Sequence, residues 1–216
     1  NANKPKLPKF KKPSSYKRIW GSDMHEKHLD WFNALTDKEK DDINKYTQQG
    51  VYDKLNTGLR KGNLRDLYKP LSDSLSKILQ KNELKVNIQT YRGSSASIFK
   101  GLLDENTYNL MRENKADIET LKEKLLGNIV NDKGFMSTTI SEEVVLNQDN
   151  GFLKNVLFKI DIDKKSTGVA FISPLSEFEI EAELLLDKNT SLYIKDIAFN
   201  KDKGLYEVNC HYLGQL

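Results

Sequence analysis

The sequence predicts an α+β fold in which helices come first and most strands follow. Up to residue 79, apolar residues recur at helical spacing. After residue 134, short alternating segments separated by turn residues dominate, which is typical of strands. Because helices largely precede strands instead of alternating with them, a βαβ architecture is not expected. The 216 residues are enough for one large domain or two small ones.

The composition does not indicate a nucleic-acid-binding, metal-binding or membrane protein. The 34 Lys and Arg residues against 31 Asp and Glu leave a net charge of +3, too small to imply nucleic acid. The single cysteine, Cys210, can form neither an intrachain disulfide nor a cysteine metal cluster. No apolar run is as long as a membrane span. The chain begins with Asn1 and not with Met, so we expect a mature or excised piece, and the lack of a signal peptide in it does not argue against targeting.

Residues 1–15 differ from the rest of the chain. They carry five lysines among three prolines and few large apolar residues. This composition is typical of an extended arm or an interdomain linker, with a patch for a membrane or a partner as the alternative. We therefore predict a basic, proline-rich arm over residues 1–15 and one folded domain over residues 16–216.

Helices are predicted for most of the first half of the chain. Trp31, Phe32 and Leu35 would bury one face of a helix that begins near residue 20. Thr36-Asp37-Lys38-Glu39 has the pattern of a capping box and predicts the start of a second helix. Pro70 would divide one of the later helices or delay its start. These later helices are predicted at residues 49–59, 64–79 and 106–126.

Strands are recognised by alternating or β-branched residues between turn signals. Turn residues at 163–165 and 187–189 separate several of them. The predicted strands cover residues 86–92, 135–140, 155–162, 168–173, 180–186, 190–199 and 205–213.

The segment Phe178–Leu186 carries glutamates at alternate positions. If it is a strand throughout, Glu181 and Glu183 lie on one face, roughly 6.5–7 Å apart at the backbone, close enough to act on one substrate. The opposite, buried face would be formed by Phe178, Ile180, Ala182 and Leu184. The simpler interpretation is a half-buried strand with one wet face, because alternation alone commonly indicates no more than that.

Three other short segments contain side chains suited to binding a phosphate or a sugar. Asn56 and Arg60 lie four residues apart at the end of a predicted helix. Arg92 precedes Gly93 at a strand end, where a guanidinium can hold a phosphate bidentately and glycine lets a ligand approach the backbone. Residues 137–139 place three hydroxyls on another strand. The ordinary alternatives are a polar helix end, a surface ion pair and a threonine-rich strand.

In this order, the four segments resemble the bacterial mono-ADP-ribosyltransferase toxins, in particular the clostridial C2/C3 and Vip2-like group. That family has an Asn-x-x-x-Arg helix, an arginine strand, a Ser-Thr-Ser strand and a Glu/Gln-x-Glu strand preceded by an aromatic residue. The resemblance covers about residues 20–213 and implies helices packed on a two-sheet, largely antiparallel β-sandwich that binds NAD. The matching positions are Asn56 and Arg60, Arg92, Ser137-Thr138-Thr139, Phe178 and Glu181-Ala182-Glu183.

The resemblance also implies a role for each matching residue. Glu183 would stabilise the cationic transition state that forms when the bond between nicotinamide and ribose breaks. Ser137 would hold Glu183 in place. Arg92 and Arg60 would bind the pyrophosphate, and Asn56 would add a hydrogen bond.

The remaining roles concern the acceptor and its protein. The backbone of Gly93 would face the nicotinamide amide, and Glu181 would orient an attacking guanidinium and remove a proton from it. In the family, Glu at this first position goes with arginine acceptors and Gln with asparagine. The turn at Phe178 would help to recognise the protein substrate. The sequence departs from the family pattern at two places. In the turn before Glu181, relatives often have a pair of small residues that ends in glycine, and Thr139 replaces the usual final serine of the Ser-Thr-Ser strand.

Partners and location follow from the resemblance alone. NAD would be the substrate, no metal would be needed, and the acceptor would belong to a host protein, with actin or another cytoskeletal protein as the expected target. A delivery or binding component would bring a secreted, monomeric catalytic domain to the host cytosol, so membrane contact would come only through that translocation partner. Nucleic acid is not expected. Two alternatives are an NAD glycohydrolase and a catalytically silent docking domain of the same fold.

Overall fold

Helices come before most strands in the computed structural model, as the sequence predicts. The structure describes residues 10–12, 15–16, 18–147 and 154–216. None of the helices in these ranges is long and apolar enough to cross a bilayer. The helices are α1 (Gly21–Lys27), α2 (Leu29–Ala34), α3 (Asp37–Thr47), α4 (Val51–Lys61), α5 (Lys69–Gln80), α6 (Glu105–Arg112), α7 (Ile118–Leu125) and α8 (Glu142–Leu146).

All seven predicted strands are present, with ends displaced by a few residues. An eighth, β2, is too short and too polar to give an alternating pattern, and it was not predicted. The strands are β1 (Ile88–Ser94), β2 (Ile129–Asp132), β3 (Met136–Thr139), β4 (Val156–Ile162), β5 (Val169–Phe171), β6 (Glu183–Leu186), β7 (Thr190–Asn200) and β8 (Leu205–Gln215).

Local signals set most of the helix ends. The predicted capping box is confirmed, because the Glu39 N–H donates to Thr36 Oγ1 (3.2 Å) and the Thr36 N–H donates to Glu39 Oε2 (3.0 Å). Pro70 lies in the first turn of α5, where its missing N–H costs no helical bond. The single helix predicted over residues 106–126 is wrong. It is two helices, α6 and α7, and the link between them contains Asn114 at a left-handed φ of 58°.

The eight strands form one mixed sheet in the order β2-β7-β8-β4-β1-β3-β6-β5. Strands β4 and β8 are parallel, whereas the other neighbouring pairs are antiparallel. The predicted α+β class and the largely antiparallel pairing are therefore confirmed. The predicted two-sheet sandwich is wrong, because a backbone pairing between β1 and β3 joins all the strands into one hydrogen-bonded sheet.

The junction of β1 and β3 is the weakest link in this sheet. It contains one residue pair, Tyr91 with Thr139, whereas β4 pairs along the whole of β1. A threonine hydroxyl of β1 reinforces it, because Thr90 Oγ1 donates to Thr138 Oγ1 (2.7 Å) and to the Thr139 carbonyl oxygen (2.8 Å) on β3. Beyond the single pair, β1 and β3 part and leave an opening in the sheet.

Two apolar clusters hold the sheet between layers of helix. Strands β5 and β6 contribute to both clusters, so they are covered on both faces, which explains the unbroken apolar run Leu184–Leu186. Because side chains alternate along a strand, Glu183 points to the same face as Leu185, towards α3, α4 and α5. One cluster includes Met111, Leu121, Leu125, Phe158, Leu184 and Leu186. The other includes Ile43, Leu55, Leu75, Phe135, Ala170 and Leu185.

The described part of the predicted arm lies against the sheet. The Phe10 ring stacks on Tyr193 with 5.0 Å between centroids, and its centroid is 4.5 Å from that of His211. This contact ties the end of the arm to the domain. Residues 1–9 and 13–14 lie outside the described residues, and the division into an arm and one domain stays a prediction.

His28 is a buried titratable side chain between α1 and α2. It is 2% exposed, and its Nδ1 donates to the Met24 carbonyl oxygen (2.8 Å). Its Nε2 is buried without a hydrogen-bond partner in the described part of the chain. Burial lowers the pKa of His28 from 6.5 to about 4, because the charged imidazolium would lose its hydration.

We predict that His28 makes the fold sensitive to mild acid. The unfolded chain takes up this proton near pH 6.5 and the folded chain only near pH 4, so the stabilisation is complete above pH 6.5 and is lost as the pH falls towards 4. The loss amounts to roughly 3 kcal/mol. Urea unfolding of the wild type and of His28→Phe between about pH 7.5 and 4.5 measures it. The variant should gain stability relative to the wild type as the pH falls, and a constant difference would contradict the prediction.

Candidate active site

A cleft of about 640 Å³ opens where β1 and β3 part. This volume is typical of small-molecule sites. The structure brings all the predicted site residues to this cleft, although they come from α4, three strands and a turn; what each does in the reaction stays a prediction. They are Asn56, Arg60, Arg92, Gly93, Ser137, Phe178, Glu181 and Glu183.

Glu183, the first residue of β6, is the most buried acid of the cleft, at 5% exposed. In the pairing of β3 with β6, Leu185 lies opposite Ser137 and Glu183 lies opposite Thr139. Ser137 and Glu183 are therefore diagonal neighbours on one face of the sheet. Strand register thus places the hydroxyl next to the carboxyl group.

The surroundings of Glu183 bring its pKa close to neutral pH, so the charged and neutral forms of its carboxyl group are both populated there. Burial raises the pKa of Glu183 to about 7. A hydrogen bond with the Ser137 side chain lowers the pKa, the charge of Glu181 raises it, and the charge of Arg92 lowers it. Ser137 and Arg92 are therefore the groups that keep the buried carboxyl group ionisable.

Glu181 does not lie on a strand, contrary to the prediction. Residues 179–181 form a single 3₁₀ turn, and Ala182 takes the left-handed conformation (φ 48°, ψ 49°) before β6 begins. Phe178 and Ile180, which were expected on a buried face, are 38% and 88% exposed. Glu181 nevertheless lines the cleft, where partial burial raises its pKa.

The backbone at Ala182 sets the relative directions of the two glutamates. A left-handed alanine costs roughly 1 kcal/mol, so the surroundings must hold it in place. One such contact is the hydrogen bond from the Ile140 N–H to the Ala182 carbonyl oxygen (3.2 Å). Both acids therefore line the cleft because a turn leads directly into β6, and not because they alternate along one strand.

Arg92 spans the opening between β1 and β3. Its Nη1 donates to the Ser137 carbonyl oxygen (2.7 Å), and its Nε is buried without a partner among the described residues. An unpaired buried N–H is costly, so this guanidinium is suited to an anionic ligand that would pair with it. Burial lowers the pKa of Arg92, whereas the charge of Asp132 raises it.

Arg60 on α4 is held by an acid that was not among the predicted site residues. Its Nε donates to Asp132 Oδ1 (2.8 Å) and its Nη2 to Asp132 Oδ2 (2.9 Å). Burial acts to lower the pKa of Arg60, but hydrogen bonding to Asp132 and its charge raise it overall. Asp132 ends the short strand β2, and only its position before a Lys-Gly pair marked it in the sequence, as part of a turn.

Asn56 couples α4 to the segment that leads into β3. Its Oδ1 accepts from the Phe135 N–H (2.9 Å), and its Nδ2 donates to the Tyr46 hydroxyl (2.9 Å). Asn56 thus has a structural task that the motif did not indicate. Tyr46 is 2% exposed and lines the cleft, but a single tyrosine in a helical pattern gives no functional signal in the sequence.

A second cavity of about 540 Å³ adjoins the cleft. Arg60, Arg92, Gly93 and Lys154 border both cavities. An elongated ligand with a central anion suits this arrangement, because the cations lie where the two cavities meet. NAD, with a pyrophosphate between its two nucleosides, has this form. In the described ranges, no three His, Cys, Asp or Glu side chains are grouped so that they could share a metal ion.

The fold and the cleft point to the same class of protein, the enzymes that transfer ADP-ribose from NAD. The family model for the ADP-ribosyltransferase exoenzymes matches residues 17–210, nearly the whole chain. The chain therefore belongs to the ADP-ribosyltransferase exoenzyme family, and it is an NAD-dependent mono-ADP-ribosyltransferase.

Individual relatives agree with this assignment. The mono-ADP-ribosyltransferase C3 of a Clostridium botulinum D phage is 26% identical over 193 residues, which cover 86% of this chain and 71% of that protein. Plx2a, an ADP-ribosyltransferase toxin from Paenibacillus larvae, has a TM-score of 0.73 at 22% identity, covering 89% of this chain and 94% of its own. C3stau2 from S. aureus, solved with NAD, has a TM-score of 0.73 at 16% identity, covering 91% and 93%. At these identities the two structures show the shared fold.

We predict that Ser137→Ala moves the acid limb of the pH–activity profile to higher pH. The Ser137 side chain lowers the pKa of Glu183, so its loss leaves less charged carboxylate at neutral pH. Rates of NAD hydrolysis from about pH 5.5 to 9 measure the shift, and activity should recover at the alkaline end. Ser137→Thr keeps the hydroxyl and is the matched control, expected to retain the wild-type profile. An equal loss at every pH would contradict the prediction.

We predict that Glu183→Gln abolishes nearly all activity yet stabilises the folded protein above pH 7. A carboxyl group with a pKa of about 7 in the folded chain and 4.5 in the unfolded chain contributes stability that is complete below pH 4.5 and is lost as the pH rises through 7. Glutamine avoids this loss of up to roughly 3 kcal/mol. Thermal melts should show a larger gain in Tm for the variant at pH 8 than at pH 5. The same gain at both pH values would argue against burial as the cause.

Proposed function

We propose that the enzyme transfers ADP-ribose from NAD to the guanidinium of an arginine in a host protein. The observation that carries the proposal is the convergence of Arg92, Ser137, Glu181 and Glu183 on one cleft, from segments that are far apart in the sequence. Together they offer an anion site, a buried carboxyl group for a developing cation and a second carboxyl group for the acceptor.

Glu183 is suited to stabilising the positive charge on the ribose as its bond to nicotinamide breaks. The bonding electrons leave with nicotinamide, which becomes neutral. Because Glu183 is buried, its carboxylate acts through a lower dielectric than water and its attraction for the cation is larger. Ser137 orients this carboxylate.

Three further residues of the cleft would hold the pyrophosphate and the nicotinamide of NAD. Arg92 offers an unpaired Nε, and Arg60 adds a second guanidinium for the pyrophosphate. Gly93 has no side chain, so the carboxamide of nicotinamide can approach the backbone of β1. These contacts hold the ribose in place for attack.

Glu181 is suited to preparing an arginine acceptor. A guanidinium is protonated at neutral pH, so one of its nitrogens can bond to the ribose carbon only as it gives up a proton. Partial burial raises the pKa of Glu181, which makes it a stronger base than an ordinary glutamate. The same turn exposes Phe178 and Ile180, and a protein surface could cover these apolar side chains.

The setting of the reaction is proposed from the family. We infer a secreted, monomeric bacterial toxin that a separate or attached binding component delivers to the host cytosol, where actin or another cytoskeletal protein is the target. The description of the family as exoenzymes supports secretion. The similar fold of Plx2a, itself described as a toxin, supports the same biological role.

The acceptor is tested with labelled NAD and small acceptors. Agmatine presents a guanidinium, whereas an asparagine amide presents the other acceptor group used in the family. We expect label on agmatine and on lysate protein but not on the asparagine amide. Label on the asparagine amide alone would refute the arginine assignment, and mass spectrometry of labelled lysate would identify the target.

We predict that Glu181→Gln separates hydrolysis from transfer. When water is the acceptor, no guanidinium has to lose a proton. NAD hydrolysis should therefore stay within about threefold of the wild type, while transfer to agmatine falls about tenfold or more. The rates of nicotinamide release and of agmatine labelling measure the two reactions. Equal losses of both would contradict the division of labour between Glu181 and Glu183.

An NAD glycohydrolase is the second candidate, because water could use the same cleft as the acceptor. Nicotinamide release without label on agmatine or on any lysate protein would favour it. The alternative of a silent docking domain disagrees with the family of the chain and with the eight predicted site residues, which all line the cleft. A thermal shift with millimolar NAD tests it, since a bound ligand stabilises the folded chain and a silent domain would show no shift.

A further inference from the structure

Asp132 lies outside the sequence motif, yet three hydrogen bonds end on its carboxylate. The residue is 9% exposed. Its Oδ1 accepts from Arg60 Nε (2.8 Å) and from the Gly134 N–H (2.9 Å), and its Oδ2 accepts from Arg60 Nη2 (2.9 Å). A bidentate contact of this kind fixes both the position and the plane of a guanidinium.

Asp132 is also the counter-charge of two neighbouring arginines. Arg60 and Arg92 both border the two cavities, and Asp132 lines the second. Burial and the charge of Arg60 lower the pKa of Arg92, whereas the charge of Asp132 raises it. The two like charges therefore have Asp132 as a shared counter-charge before any anion enters the cleft, and its negative charge offsets their repulsion.

Gly134 makes room for this arrangement. A Cβ at this position would lie 3.1 Å from Arg60 Nε and 3.1 Å from Asn56 Oδ1. Contacts this close would require the neighbouring groups to move. The absence of a side chain at residue 134 therefore lets the guanidinium lie beside Asp132, and the turn between β2 and β3 is shaped around Arg60.

We propose that Asp132 is a positioning residue for binding the pyrophosphate of NAD. It holds Arg60 through Nε and Nη2, which leaves Nη1 for the ligand, and it keeps the two arginines together while the cleft is empty. The inference rests on the proposed assignment of Arg60 and Arg92 to the pyrophosphate. Because folding, and not binding, orders the flexible Arg60 side chain, Asp132 tightens binding although it is itself an anion.

The test combines binding of ADP-ribose, which has the pyrophosphate but no nicotinamide, with steady-state kinetics on NAD. Asp132→Asn keeps an oxygen for the Gly134 N–H but removes the charge and the second acceptor for Arg60. We expect the Kd for ADP-ribose and the KM for NAD to rise about tenfold or more, while kcat changes less than about threefold. A merely structural role would lower Tm without this split.

Asp161→Asn is the matched control. Asp161 is also buried, at 3% exposed, and accepts from Lys195 Nζ and from Gln89 Nε2 (2.9 Å). It lines neither cavity. We expect this variant to lose stability and to bind ADP-ribose as the wild type does.

A double mutant shows whether Asp132 acts through Arg60. In an Arg60→Gln background, Asp132→Asn should weaken ADP-ribose binding by less than about twofold further, because the group that it orients is gone. Gly134→Ala gives a second route that leaves Asp132 unchanged. Its methyl group should displace the Arg60 guanidinium and raise the Kd severalfold, and this variant decides the question if Asp132→Asn does not fold.

The proposal is overturned if Asp132→Asn binds ADP-ribose as tightly as the wild type or more tightly, or if its effect is undiminished in the Arg60→Gln background. An unchanged Kd in Gly134→Ala would also count against it. None of these measurements involves an acceptor. If the proposal that arginine is the acceptor is wrong, the error would therefore appear in the agmatine assay and would leave the results on ADP-ribose binding unchanged.

Discussion

The hydrogen bond from Arg92 to the Ser137 carbonyl oxygen (2.7 Å) is the contact on which the cleft depends. A sheet can open between two neighbouring strands only if the backbone groups at the opening find other partners. Here a side chain of β1 supplies one of them, so β1 and β3 part after a single backbone pair. The opening admits a ligand, and β3 presents the Ser137 hydroxyl to Glu183 beside it.

Burial gives the site its chemistry and also destabilises it. It raises the pKa of Glu183 to about 7, so part of the population is neutral at pH 7, whereas the proposed mechanism uses the charged form. Ser137 and Arg92 offset this effect, and Asp132 does the same for Arg60 by pairing with it. The buried charges of the cleft are thus supported by specific neighbours, as the cost of removing them from water requires.

The parts of the fold that could be predicted are those set by near neighbours in the chain. The capping box at Thr36 and the alternating or β-branched residues of the seven predicted strands are local signals. The ordered motif carried the long-range information that named the site residues. The failures depend on distant or backbone-specific contacts. Alanine rarely takes the left-handed conformation, so its presence at residue 182 gave no sign of a turn and the alternating glutamates were predicted to lie on a strand. Asp132 has its partner Arg60 in another element 72 residues away, and no local pattern connects them.

Glu183 is buried in the cleft, and its carboxyl group has a raised pKa there. An NMR titration of the Glu183 carboxyl carbon in the ligand-free enzyme tests this central claim most directly. Comparison with Glu183→Gln assigns the signal. The predicted midpoint is near pH 7, because the carboxylate has lost most of its hydration. A midpoint near the ordinary value of 4.5 would mean that Glu183 is solvated, and it would contradict both the burial of this residue and the mechanism built on it.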